Sequence, residues 1–178
     1  MKPNRWKALS IALAAVLVGV LVHTALAVEP LTPVTLGGGG VKEVETVRND
    51  TDYSTNKTKY VDVPGAKVSV TVPPGETSLV LARFSAESVC YNGGTQWCTA
   101  RIVVGAVAAS PSGNDFAFDS TNGGKDGNSS WESHAMERIR GPLDPGTYEV
   151  KLQIKTSNDA TNFRIDDWML VAERIAAA

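Results

Sequence analysis

In the segment GPLDPGTYEVKLQIKTS, Gly141 to Ser157, a Pro-Gly turn at Pro145 and Gly146 leads into an unbroken alternation. Tyr148, Val150, Leu152 and Ile154 share one parity, and Thr147, Glu149, Lys151, Gln153 and Lys155 share the other. A backbone that sends successive side chains to opposite faces is an extended strand with one wet side and one dry side. KVSVTV, Lys67 to Val72, repeats the pattern with Val68, Val70 and Val72 on the apolar face. VPPGETSLVLARF adds another strand after a Pro-Pro-Gly turn. NDFAFDS sets Phe116 and Phe118 inward against Asp115, Ala117 and Asp119. NFRIDDWMLVAER closes the series, with Phe163 and Ile165 on one face, Trp168 and Leu170 on the other, and room for a bulge at the two aspartates. VKEVETV reads as a first strand or a helical turn, RNDTDYSTNKT as a polar turn, and ERIAAA as a fraying end.

Strands at this spacing, separated by Gly, Pro, Asn and Asp turns, predict an all-β antiparallel β-sandwich. About eight strands in jelly-roll or Greek-key topology are expected. No internal repeat is visible.

The N-terminus differs from this pattern. MKPNRWK carries Lys2, Arg5 and Lys7, an uncharged run follows from Ala8 to Val22, and ALA ends at Ala27. This is the layout of a secretory signal peptide, forming a helix over residues 1–27. The alternative is an uncleaved signal anchor, because Ala8 to Ala27 is long enough to span a bilayer. Residues 28–40, with two prolines and four consecutive glycines, form a flexible leader, and residues 41–178 a single sandwich domain. The expected location is secreted, extracellular or membrane-tethered, with no membrane contact beyond the signal segment.

Removal of the signal takes three basic residues and no acidic ones from the 17 Lys+Arg and 19 Asp+Glu of the whole chain. The remaining acidic balance, with no clustered basic face, argues against nucleic acid as a partner. A 151-residue remainder (178 minus 27) can bury its own core.

CYNGGTQWC contains the only two cysteines, Cys90 and Cys98. An oxidising compartment favours a disulfide. A structural zinc site needs four ligands, and beyond these cysteines the mature chain offers one histidine, His134. The flanks SLVLARFSAESVC and CTARIVV are β-rich, so the pair is expected to staple neighbouring antiparallel strands at a hairpin tip that carries Trp97. A loop this short contributes about 2.5 kcal/mol on chain-entropy reasoning.

The run from ETSLVLARF to CTARIVV, together with FAFDS, WESHAMER and PGTYEVKLQIKTSNDATNFRIDDWMLVAER, resembles a group of uncharacterised secreted actinobacterial β-sandwich proteins, over about Gly75 to Arg174. The Pro-Gly-Thr-Tyr strand and the apolar final strand are also loosely similar to jelly-roll domains of the complement/tumour-necrosis-factor type and to carbohydrate-binding sandwiches. These resemblances imply a fold and no activity.

A hydrolase reading would use His134 as a general base with Ser133, but adjacent strand residues face opposite ways. No Gly-x-Ser-x-Gly or His-Glu-x-x-His pattern is present. Asp166 and Asp167 are separated by the same parity and cannot act as a carboxylate couple; one is expected to bond backbone or Arg164. Asp126, Asn128, Ser130 and Glu137 occupy the first, third, fifth and twelfth places of an EF-hand-like loop and form a weak calcium candidate. Trp131 stands at the sixth place, where that loop needs glycine. No other cofactor is expected.

Aromatic binding is the remaining route. Trp168 reads as core, whereas Trp97, Tyr91 and Trp131 flank loops and are the candidate ligand-binding residues. The sequence therefore points to a secreted, non-enzymatic binding module for an extracellular glycan or protein partner. The alternatives are a cell-wall or polysaccharide hydrolase and a self-associating structural subunit that forms homo-oligomers. Asn49, Asn56 and Asn128 stand in Asn-x-Ser/Thr sequons, which carry glycans only in a eukaryotic secretory pathway.

Overall fold

The computed structural model describes residues 40–113 and 116–177. The expected signal segment, all of the leader but Gly40, and Asp115 lie outside the described residues. Ten strands follow in order: β1 (Val41–Asn49), β2 (Tyr53–Thr55), β3 (Val61–Val72), β4 (Ser78–Tyr91), β5 (Trp97–Val104), β6 (Val107–Ala108), β7 (Ala117–Ser120), β8 (Glu132–Leu143), β9 (Gly146–Thr156) and β10 (Asn162–Ala176). One 3-10 turn covers Asn122–Gly124.

The strands form two five-stranded antiparallel sheets. The first has the order β1-β10-β4-β8, with β2 also pairing β10; the second has the order β3-β9-β5-β6, with β7 pairing β5. The chain thus changes sheet at most of its connections, and the core lies between the layers, as in a β-sandwich. Val70, Val80, Phe84, Ile102, Leu152, Ile154, Phe163, Ile165 and Leu170 are fully buried there. The strand count exceeds the expected eight mainly because of β2 and β6, three and two residues long, too short for alternation to reveal. VKEVETV is a strand, and ERIAAA does not fray at its start: Arg174 and Ile175 are paired within β10.

Two bulges redirect side chains. In β10 the register with β4 shifts between Asp166 and Met169, and Asp167 takes a left-handed φ of 44°. The Asp166 carboxylate accepts a hydrogen bond from the Asp167 N–H at 2.9 Å. The extra residue resets the parity, so Phe163, Ile165, Trp168 and Leu170 all face the core. The expectation of opposite faces is overturned for that reason. In β7 the register with β5 skips Phe118. Phe118 and Asp119 are consequently both buried, while Phe116 is exposed and lies under the Arg138 guanidinium at 4.2 Å.

The cysteines also differ from expectation. Cys90 and Cys98 form a disulfide with Cα atoms 5.8 Å apart, but β4 belongs to the first sheet and β5 to the second. The bridge joins the two layers and does not close a hairpin. Alternation locates the buried face where no bulge intervenes, and it is silent about which sheet each strand joins.

Candidate functional site

One end of the sandwich gathers the stapled β4–β5 arch, the β9–β10 turn and the edge strands β7 and β8. The arch turns through Asn92, Gly93 and Gly94, all with positive φ. Gly93 is required by space as well: a Cβ there would lie 2.4 Å from Thr161 Oγ1. The buried Thr121 hydroxyl donates to the Gly94 carbonyl at 2.6 Å and accepts from the Gln96 N–H at 2.8 Å. Trp97 N–H donates to Ser157 Oγ at 3.2 Å, and Ser157 N–H returns a bond to the Trp97 carbonyl at 3.0 Å. The backbone under Trp97 is thereby fixed from both neighbours.

The candidate aromatics divide between faces. Cys98 points into the core, so its neighbour Trp97 points out of the second sheet, where 40% of it is exposed. By the same parity Thr99 and Arg101 share its face. The Arg101 guanidinium sits 3.7 Å from the Tyr60 ring centroid, and Lys155 Nζ lies 4.9 Å from the same ring. Tyr60, in a polar loop without periodicity, gave no sequence signal. Tyr91 and Trp131 are half-buried. Trp131 is held by Arg164, 4.9 Å from its ring, and Arg164 pairs with Asp52 at 3.0 Å and not with an adjacent aspartate. Arg164 is in register with Val89 and belongs to the first sheet, so Trp131 does not share a surface with Trp97.

The second group lies between the sheet edges. Asp119 lies in β7 opposite Cys98, and Glu132 opens β8 opposite Ser88. Ser88 is fully buried, and its hydroxyl donates to Asp119 Oδ2 at 2.7 Å while lying 3.0 Å from His134 Nδ1. Asp119 Oδ1 accepts from the Ser120 N–H at 2.6 Å. His134 Nε2 faces Glu132 Oε2 at 3.5 Å. One donor atom from each of Asp119, Glu132 and His134 lies within 4.8 Å of the other two. Burial pushes the Asp119 carboxyl above the ordinary aspartate range, against the opposing effect of its hydrogen bonds. Phe118 floors the group, its ring centroid 5.5 Å from that of His134. A cleft of about 310 Å³ opens over Ala117, Phe118, Asp119, Ser120, Glu132 and His134.

The hydrolase and calcium candidates of the sequence take up these positions. His134 meets Ser88 and not Ser133, which is exposed; with no surface of its own, Ser88 cannot reach a substrate carbonyl. The calcium candidate residues are divided between a loop and a strand. Asp126, Asn128 and Ser130 lie in the loop before β8, where Ser130 Oγ accepts from the Gly127 N–H at 3.2 Å. Glu137 lies five residues along β8 from Glu132, about 16 Å at strand rise, and faces Arg83 at 3.7 Å. Sequence reasoning singled out His134, read Asp119 as outward-facing and missed Ser88; the approach of Asp119 depends on the bulge at Phe118.

A broader hollow of about 620 Å³ covers the outer face of the first sheet around Arg83, Met169 and Val171. Its central Arg83 is already paired with Glu137 and Glu173.

No protein-family model and no curated protein matches the sequence. Among solved structures, the chain is similar to dimeric latent PorU from Porphyromonas gingivalis, at 15% identity over 82% of this chain and 14% of that one, with a TM-score of 0.39. It is similar to the infectious bursal disease virus VP2 subviral particle, at 14% identity over 85% of this chain and 43% of that one, TM-score 0.43. It is also similar to the carbohydrate-binding module CBM36 in complex with calcium and xylotriose, at 14% identity over 73% of this chain and 98% of that one, TM-score 0.33. The chain thus spans less than half of the PorU and VP2 chains. At these identities and TM-scores the likeness transfers no ligand or role to this chain. Among the described residues, no helix is long and apolar enough to cross a membrane.

Proposed function

We propose that this chain is a secreted, non-enzymatic binding module of jelly-roll type that engages an extracellular glycan through the outer face of its second sheet. The observation that carries the reading is Trp97: a large ring, 40% exposed, on a backbone fixed by a disulfide and by reciprocal hydrogen bonds to the neighbouring turn. A ring held this way presents a flat apolar face to a sugar ring with little ordering cost on binding. Arg101, Lys155 and Tyr60 continue the same face along β5, adding cationic and hydroxyl groups suited to the polar edge of a short oligosaccharide.

The test is retention on insoluble polysaccharides and purified cell wall, with Trp97→Ala in parallel. Retention should fall at least tenfold in the variant, while its melting temperature stays within about 2 °C because an exposed ring contributes little to the core. Retention unchanged by Trp97→Ala, or absent from every matrix, would overturn the reading. The second outcome would favour a protein partner or self-association.

A further inference from the structure

We propose that Asp119, Glu132 and His134 bind one divalent transition-metal ion of the zinc class, bridging the two sheets at their open edge. The inference does not depend on the glycan reading.

Ser88 sets the polarity of the group. Its one O–H is directed to Asp119 Oδ2 at 2.7 Å, so at His134 the same oxygen acts as acceptor, and Nδ1 carries the hydrogen across 3.0 Å. A neutral imidazole in that tautomer has its lone pair on Nε2. Nε2 faces Glu132 Oε2 at 3.5 Å, which sets two electron pairs against each other with no hydrogen between them. A positive charge belongs in that gap. Asp119 supplies a second carboxylate within 4.8 Å of both, so the group carries two acids against one imidazole.

The spacing suits a small cation. Zinc bonds of about 2.0–2.2 Å place donors about 3.4 Å apart in a tetrahedron, close to the 3.5 Å between Nε2 and Oε2. An imidazole that donates its other nitrogen to a fixed oxygen is the usual support for a metal-bound histidine, and Ser88 provides it while also orienting Asp119. Calcium fits poorly, because it takes six to eight oxygens and nitrogen donors favour zinc-like metals. The three side chains leave a fourth position, directed into the cleft over Ala117 and Ser120, for water or a ligand group.

The alternative occupant of the gap is a proton, giving a His134–Glu132 ion pair. Calorimetric titration of the chelator-treated full chain at pH 7 with zinc chloride, and separately with calcium chloride, distinguishes the two. One saturable equivalent of zinc is expected, with a rise of about 5–10 °C in Tm at a hundredfold excess over Kd, and no comparable response to calcium. Glu132→Gln, an exposed change that leaves the fold intact, should abolish the zinc response, as should His134→Ala. Ser88→Ala should weaken binding by about 10- to 100-fold through loss of ligand orientation. Absence of a zinc equivalent would overturn the proposal in favour of the proton. Zinc binding that survives both Glu132→Gln and His134→Ala would overturn it in favour of another site.

Discussion

The two ends of the long β4–β10 pair contain nearly the same groups, two carboxylates and one nitrogen base, arranged with opposite outcomes. At the end away from the disulfide, Arg174 is almost fully buried and is met by Glu43 at 3.1 Å and Glu76 at 3.0 Å, with Ser78 adding a bond at 3.3 Å. Glu43 also accepts from the Thr71 N–H of the second sheet at 3.1 Å, so the cluster joins the layers with both carboxylates paired to the guanidinium. At the stapled end Asp119, Glu132 and His134 also join the layers, but there the base is an imidazole whose Nε2 faces a carboxylate. A guanidinium fills its own gap permanently, whereas the imidazole cluster leaves space for a cation from solution. The first arrangement serves stability, and the second has the chemistry of a site.

Arg174→Met should break the comparison most visibly. Removing the nearly buried cation leaves both Glu43 and Glu76 without their partner, and a loss of about 3 kcal/mol is expected in urea unfolding. Adding Glu43→Gln should recover part of it; no recovery would mean that packing of the arginine stem, and not charge balance, holds that end. At the other end, replacing both Cys90 and Cys98 by serine should cost about 2.5 kcal/mol through the longer reach of the unfolded chain. If it costs more than Arg174→Met, the covalent bridge is the stronger inter-sheet tie, and the stapled end is the rigid one.

How much of this was legible in the sequence depends on where parity is kept. In β9 no residue is inserted, and alternation located Val150, Leu152 and Ile154 in the core correctly. In β10 one extra residue at Asp167 returns Trp168 and Leu170 to the face of Phe163 and Ile165; the adjacent aspartates hinted at a bulge without showing its effect. In β7 the bulge at Phe118 turns Asp119 inward, and no local signal marks it. His134 stood out as the one histidine beyond residues 1–27. Its partners come from β4 and β7, strands of different sheets, and a period-two pattern carries no information about which sheet a strand enters. The same limit made the cysteines read as a hairpin staple when they tie layer to layer.

The smallest expected effect concerns Asp62, on the outer face of the second sheet and away from both ends. Its carboxylate accepts from Lys151 Nζ at 2.9 Å and from Gln153 Nε2 at 2.5 Å, and these bonds, that from Lys151 first, hold its pKa below the ordinary aspartate value. A depressed folded-state pKa means that the fold prefers the ionised form. The resulting stability is fully present above the unfolded value of about 3.9 and is lost as pH falls through the lower folded value. The difference in stability between wild type and Asp62→Asn should therefore be constant from neutral pH down to about pH 5 and shrink below about pH 4. With the Asp62 side chain 55% exposed, water screens the pair, and the difference should not exceed about 0.5 kcal/mol. If Asp62→Asn instead cost as much as Arg174→Met, burial could not be what distinguishes a stabilising cluster from a surface pair. The contrast between the two ends would then have to rest on hydrogen-bond count alone, and by that measure Asp119, with two bonds to its carboxylate, would already be satisfied without a cation.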